Sequence, residues 1–142
     1  MTETNQIVSD CAISDLSDRV IKCAQAVHKQ IGSGFHEMVY KRPLAFELFI
    51  RDIPFEREMD ILLNNNDRQH GKMNADFLVD EKIMVELKST MQLDGMSLTF
   101  VKEQLEDRNL ELGLVLNFGV ETLEYRKIFN NKFQPQLHNQ AS

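Results

Sequence analysis

The stretch Asn74-Ala75-Asp76-Phe77-Leu78-Val79-Asp80-Glu81-Lys82-Ile83-Met84-Val85-Glu86-Leu87-Lys88 constrains the fold more than any other part of this chain. Two apolar runs flank the short polar loop Asp80-Glu81-Lys82, which predicts an antiparallel β-hairpin. Side chains alternate faces along a strand, so Ile83, Val85 and Leu87 share one face, and Met84, Glu86 and Lys88 the other. If Asp80 pairs with Lys82, the register continues through Val79–Ile83, Leu78–Met84 and Phe77–Val85, and it puts Asp76 opposite Glu86. Direct cross-strand neighbours have Cβ atoms about 4.5–5.5 Å apart. Two carboxylates and an ammonium then gather on one side of a strand pair whose other side is core.

The rest of the chain supplies partners for that hairpin. Leu16, Val20, Cys23, Ala24, Val27 and Ile31 recur at three- and four-residue steps, which predicts a helix from a cap at Ser14 or Asp15 to about Ile31. Gly32-Ser33-Gly34 ends it. A second helical pattern runs from Phe35 to about Arg51, with Pro43 inside it as a kink or as the first turn of a new helix. Phe55–Leu63 reads as a strand, Asn64-Asn65-Asn66-Asp67 as a turn, and Met73–Val79 and Ile83–Leu87 as the hairpin. A helix over Leu98–Leu110, with Leu98, Val101, Leu105 and Phe100 inward, precedes Leu112–Phe118. That run, LGLVLNF, is nearly all apolar, as a strand covered on both faces should be. Glu124–Phe129 is the last expected strand.

The order ααβββαββ predicts an α/β sandwich with a mixed sheet. Residues 1–13 read as a flexible arm, 14–130 as one domain and 131–142 as a polar tail. With 142 residues, 42% of them hydrophobic, the chain has the size for a single core.

The net charge of −6 excludes a surface coated with positive charge, so any nucleic-acid contact must come from a local basic patch. No apolar run approaches the ~20 residues of a membrane span. The start, MTETNQIVSD, has neither a basic beginning nor an apolar stretch, so no signal peptide and a cytoplasmic location are expected. Cys11 and Cys23 lack metal or redox spacing and read as reduced thiols. His28, His36, His70 and His138 form no pair with ligand spacing.

Two adjacent carboxylates repel, and each prefers water or a cation. A hard divalent ion such as Mg²⁺ neutralises both through oxygen ligands, and it can then polarise a phosphoryl oxygen and acidify a bound water. Lys88, two residues past Glu86 on the same face, is placed to orient that water or steady charge on the phosphate. Taken alone, D-x9-E-x-K fits a solvated Asp/Glu/Lys cluster on an exposed sheet face better than it specifies a site.

Further motifs narrow the choice. An Asp…Glu-x-Lys hairpin preceded by a helix bearing Glu resembles the PD-(D/E)XK nuclease superfamily. Gly34-Phe35-His36-Glu37-Met38-Val39-Tyr40 resembles the signature of its prokaryotic GxxExxY branch. The similarity continues through Asp76-Phe77-Leu78-Val79, Val85-Glu86-Leu87-Lys88 and Leu112-Gly113-Leu114-Val115-Leu116-Asn117-Phe118-Gly119, over roughly residues 15 to 130. The resemblance implies a restriction-endonuclease-like fold. It also implies an endonuclease-type hydrolase, dependent on Mg²⁺ or Mn²⁺, that acts on DNA or, as a second class, RNA. It makes Asp76 and Glu86 the metal-binding acids, the Leu87 carbonyl a further oxygen ligand and Lys88 the catalytic lysine. Glu37 becomes the helix glutamate that approaches the metal directly or through water. Tyr40 is expected to pack and hydrogen-bond rather than to react.

The chain departs from the branch pattern at Pro43-Leu44, where a helix-friendly residue is usual, and in the helix before the GLxxNFG strand. The glutamine and tyrosine usual before the GLxxNFG strand are replaced, at ungapped spacing, by Phe100 and Gln104. Gln104, one turn away, is a candidate substitute for substrate contact, as are Lys41 and Arg42. Arg51, Arg57, Lys72 and Lys102 complete a candidate phosphate rim, although scattered solvated charges explain them more simply. Ser89 and Thr90 fit a phosphate contact or a chain turn equally well, and Tyr125 and Phe129 are expected to pack. A second function class stays open: a weak or inactive nuclease-fold module that binds nucleic acid or protein, alone or as a homodimer. The acidic charge, the small size and the missing glutamine motivate it.

Overall fold

The structure, a computed structural model, describes residues 2–57 and 75–135, with side chains from residue 12 onward. Three helices, α1 (Thr2–Ile31), α2 (Met38–Ile50) and α3 (Gly95–Arg108), accompany strands β1 (Phe55–Arg57), β2 (Phe77–Val79), β3 (Ile83–Lys88), β4 (Leu112–Asn117) and β5 (Glu124–Phe129) among those residues. Their order is the expected ααβββαββ. None of these helices is long and apolar enough to cross a membrane.

Helix α1 begins twelve residues earlier than its apolar stripe suggests, at Thr2 rather than Ser14. Residues 2–13, expected as a loose arm, are therefore helical, and Ser14 and Asp15 lie inside the helix instead of capping it. Ile13, Leu16, Val20, Cys23, Ala24 and Val27 form its buried stripe. In α2, Pro43 sits within one continuous helix, so no new helix starts there. The donor it lacks would serve the carbonyl of Val39, an exposed residue whose oxygen can turn to water. The expected continuation of β1 past Arg57, the turn at 64–67, His70, Lys72 and His138 lie outside the described residues.

The sheet order is β1-β2-β3-β4-β5, with β3 and β4 parallel and every other pair antiparallel. Helix α3 supplies the crossover that a parallel pair needs. The hairpin register is the expected one, Phe77↔Val85, Leu78↔Met84 and Val79↔Ile83. Asp80 and Glu81 take φ of 50° and 56°, and Lys82 N–H donates to the Val79 carbonyl at 2.9 Å to close the turn.

Both faces of the sheet carry a core. Phe77, Val79, Ile83, Val85, Leu87, Leu112, Leu114 and Leu116 meet α1 and α2 on one side. Met84, Ala75 and Val115 meet Val101 and Leu105 of α3 on the other. As the expected sandwich requires, this face carries a second core over Met84, and exposure rises along β3 toward Glu86 and Lys88. All six residues of β4 are buried, as a central strand requires. Contrary to expectation, Phe100, Tyr125 and Phe129 are exposed: Phe100 lies on the outer side of α3, and the other two on the edge strand β5.

Gly113 sets how closely α3 approaches. A Cβ there would stand 2.8 Å from Val101 Cγ1 and 3.2 Å from Leu105 Cδ1. Gly113→Ala should therefore cost about 1–3 kcal/mol through overpacking. Adding Val101→Ala should recover part of that loss, so the double mutant is less destabilised than the sum of the singles. Urea unfolding of the four proteins measures this coupling, and strict additivity would contradict the close contact.

Candidate active site

Strand β2 stops one residue short of the position that would put Asp76 in the ladder. Asp76 N–H donates to the Val85 carbonyl at 3.0 Å, and its carboxylate Oδ2 accepts the Leu87 N–H at 2.7 Å. The side chain thus supplies the acceptor that a further strand residue would have given. Within a strand a residue's N–H and C=O point to the same side, so the Leu87 carbonyl also faces the edge where Asp76 sits. Glu86 and Lys88 leave β3 on the α3 face. Lys88 Nζ lies 4.0 Å from Glu86 Oε1, both side chains are half-buried, and Glu86 Oε2 is removed from solvent.

Helix α2 reaches the same place from the other layer. Lys41 Nζ pairs with Asp76 Oδ1 at 2.9 Å, with the Asp76 side chain only 10% exposed. Lys41, expected as a substrate contact, is thus engaged with an acid of the site. Glu37 stands one turn earlier as the N-cap residue of α2, half-buried, with its side chain making no cap hydrogen bond. Among the described residues no three His, Cys, Asp or Glu side chains converge closely enough to hold a metal ion, so Glu37 does not complete a triad with Asp76 and Glu86. Arg42 is exposed on α2, and Gln104 is half-buried on α3. Phe100, where the branch resemblance implied a glutamine, lines an open groove with Gly95, Met96, Thr99 and Glu103.

The remaining motif residues hold this end of the sheet together. Tyr40 is fully buried and stacks on Phe118, with ring centroids 4.3 Å apart. Its hydroxyl donates to the Gly32 carbonyl at 2.7 Å and accepts from Phe35 N–H at 3.2 Å. Gly34, at φ 87°, donates its N–H to the Phe118 carbonyl at 3.1 Å, and Ser89 Oγ donates to the Phe35 carbonyl. The α1–α2 turn is thereby docked onto the ends of β3 and β4. His28 joins this packing, its Nε2 2.9 Å from the Val120 carbonyl.

Asn117 is the residue whose importance the sequence understated. It is fully buried, and its Oδ1 accepts from the N–H groups of Thr90 and Gly119, both at 3.0 Å. Its Nδ2 donates to the Thr90 carbonyl at 3.0 Å and to Glu124 Oε1 at 3.2 Å. Together with Phe118 N–H on the Lys88 carbonyl at 2.8 Å, this amide fixes the chain leaving Lys88. Gly119 passes so close that a Cβ would overlap the Thr90 peptide. The available signal was a lone amide in an otherwise apolar buried strand, since such a group must find partners. Ser89 and Thr90 accordingly serve the turn.

Asp94 caps α3, its Oδ1 accepting Ser97 N–H at 2.7 Å. Hydrogen bonds from the Ser97 backbone and then its hydroxyl hold this carboxyl below the usual aspartate range, and the charge of Lys88 adds to the effect. Burial pushes the Cys23 thiol up, so it stays protonated and inert in the core.

The oxygens available at the site are those of Asp76, Glu86 and the Leu87 carbonyl, a hard donor set that suits a hard divalent cation and not a thiolate-seeking one. The ammonium against Asp76 shows that a cation is accepted there. A family model for the PD-(D/E)XK nuclease superfamily matches residues 14–128. Neither a curated protein nor a solved structure matches the chain significantly.

Asn117→Ala leaves the Thr90 peptide and Gly119 N–H without partners and should cost about 3 kcal/mol in chemical denaturation. The Asp94 cap stabilises the protein above the unfolded-state pKa, and this contribution is lost as pH falls through the lowered folded-state pKa. Asp94→Asn keeps the cap without the charge. Its melting temperature should fall less than that of the wild type between neutral and strongly acid pH.

Proposed function

Because the chain belongs to the PD-(D/E)XK nuclease superfamily, we propose that it is a Mg²⁺- or Mn²⁺-dependent nuclease of the GxxExxY branch. The substrate class is DNA, with RNA second, and the setting is the cytoplasm. The observation that supports this most is the bond of Asp76 to the peptide of Leu87, the residue between Glu86 and Lys88, whose charged groups lie 4.0 Å apart. Asp76, Glu86 and the Leu87 carbonyl are the groups that would hold the ion. A bound divalent ion supplies polarisation of the phosphate and acidification of a water.

The chain's own residues do the rest. The Lys88 ammonium, carried on a strand end whose exit Asn117 fixes through Thr90, donates hydrogen bonds to the phosphate oxygens as negative charge builds on them, or orients the attacking water. Glu37, at the start of α2, would act on the ion directly or through a water. Arg42, exposed on α2, and Gln104, half-buried on α3, are the residues proposed to contact the nucleic-acid backbone. The acidic net charge gives no long-range attraction for a polyanion, so a homodimer or a partner protein assists capture.

Mg²⁺- or Mn²⁺-dependent cleavage of varied DNA and RNA substrates tests the reading. Lys88→Ala should lower the rate at least about 100-fold. Equal residual activity in wild type and mutant contradicts it. A second reading, a nuclease-fold module with weak or no activity, draws on the absence of a three-carboxylate cluster among the described residues. Thermal unfolding separates the two. A resident site gains RT ln(1 + [L]/Kd) as the divalent ion is added, whereas an inert module gains almost nothing.

A further inference from the structure

We infer that Lys41 is an internal counter-cation of the acidic pair, which neutralises Asp76 in the metal-free protein and which a divalent ion must displace. The inference rests on the metal reading above and adds to it a residue that sets metal affinity. Of the two Asp76 oxygens, Oδ2 accepts the Leu87 peptide at 2.7 Å and Oδ1 faces the Lys41 ammonium at 2.9 Å. The ammonium therefore holds the very oxygen that an incoming ion needs.

The pair is also sheltered, with side-chain exposures of 26% for Lys41 and 10% for Asp76, so water screens it less than a surface pair. Its backbone is not free to retreat. The neighbouring Tyr40 is fixed by its stack on Phe118 and by two hydrogen bonds to the Gly32–Phe35 turn. Release must come from the lysine side chain, whose four-carbon stem permits it.

Charge decides the sign of the effect. In the metal-free protein the ammonium neutralises the Asp76 carboxylate. Once a divalent ion lies on Asp76, an ammonium within a few ångströms repels it, so the two cations exclude each other. Lys41 thus stabilises the empty site and weakens metal binding. When displaced it swings toward solvent at the mouth of the site, where a phosphate would arrive.

The test measures Mn²⁺ affinity by calorimetry, and melting temperature in chelator, for wild type, Lys41→Met, Lys41→Arg and Asp76→Asn. Lys41→Met should bind Mn²⁺ about tenfold more tightly than wild type while melting lower in chelator. Lys41→Arg, which keeps the charge, should show no gain, and Asp76→Asn should lose the binding. If Lys41→Met does not fold, Lys41→Gln is read in the same way. Equal affinity in wild type and Lys41→Met, with binding still lost in Asp76→Asn, overturns the role of Lys41 and leaves the metal reading intact. Absence of Asp76-dependent Mn²⁺ binding in every variant overturns both.

Discussion

The hydrogen bond from the Leu87 peptide to the Asp76 carboxylate is the constraint on which the site depends. A strand that ends leaves its neighbour with unpaired backbone groups, and a buried unpaired N–H is costly. Here a side chain fills the gap. Because the acceptor is a carboxylate, the bond that finishes the sheet also delivers a negative charge to the edge of β3, next to Glu86. Structure and chemistry share one group, and its charge calls for a cation whether or not a substrate is present.

Most of the motif residues around that group are scaffolding. Tyr40, Gly34 and Ser89 dock the α1–α2 turn on the sheet, and Asn117 with Gly119 locks the chain just beyond Lys88. Gly113 lets α3 lie close enough to bury Met84. These contacts fix the strand ends that carry Glu86 and Lys88 at the rim of the sheet, the preorganisation that the proposed role of Lys88 calls for. Phe100, exposed where the branch resemblance implied a glutamine, makes the outer side of α3 less polar than that resemblance implied.

Much of this was legible before any coordinates. The hairpin register followed from side-chain alternation and a short polar loop, because a slip of one residue would turn the whole apolar set outward. The buried strand β4 announced itself by composition, and Tyr40 was correctly read as a packing residue. Other features depend on tertiary contact and leave no local mark. The Lys41–Asp76 pair exists only because α2 docks over the sheet edge. The true start of α3 at Gly95 was hidden because glycine is a poor helix former, although Asp94 is a good cap. Ser14 and Asp15 resembled a helix start but lie within α1, where thirty residues of helix override a local capping preference.

In the proposed site Asp76 and Glu86 bind one divalent ion, and the Lys41 ammonium stays on Asp76 until that ion displaces it. The most direct measurement is anomalous scattering from crystals of the protein soaked in Mn²⁺. The account predicts a single strong peak bound by both carboxylates and the Leu87 carbonyl, with the Lys41 ammonium moved off Asp76. A peak elsewhere, or one touching only one of the two acids, would contradict it.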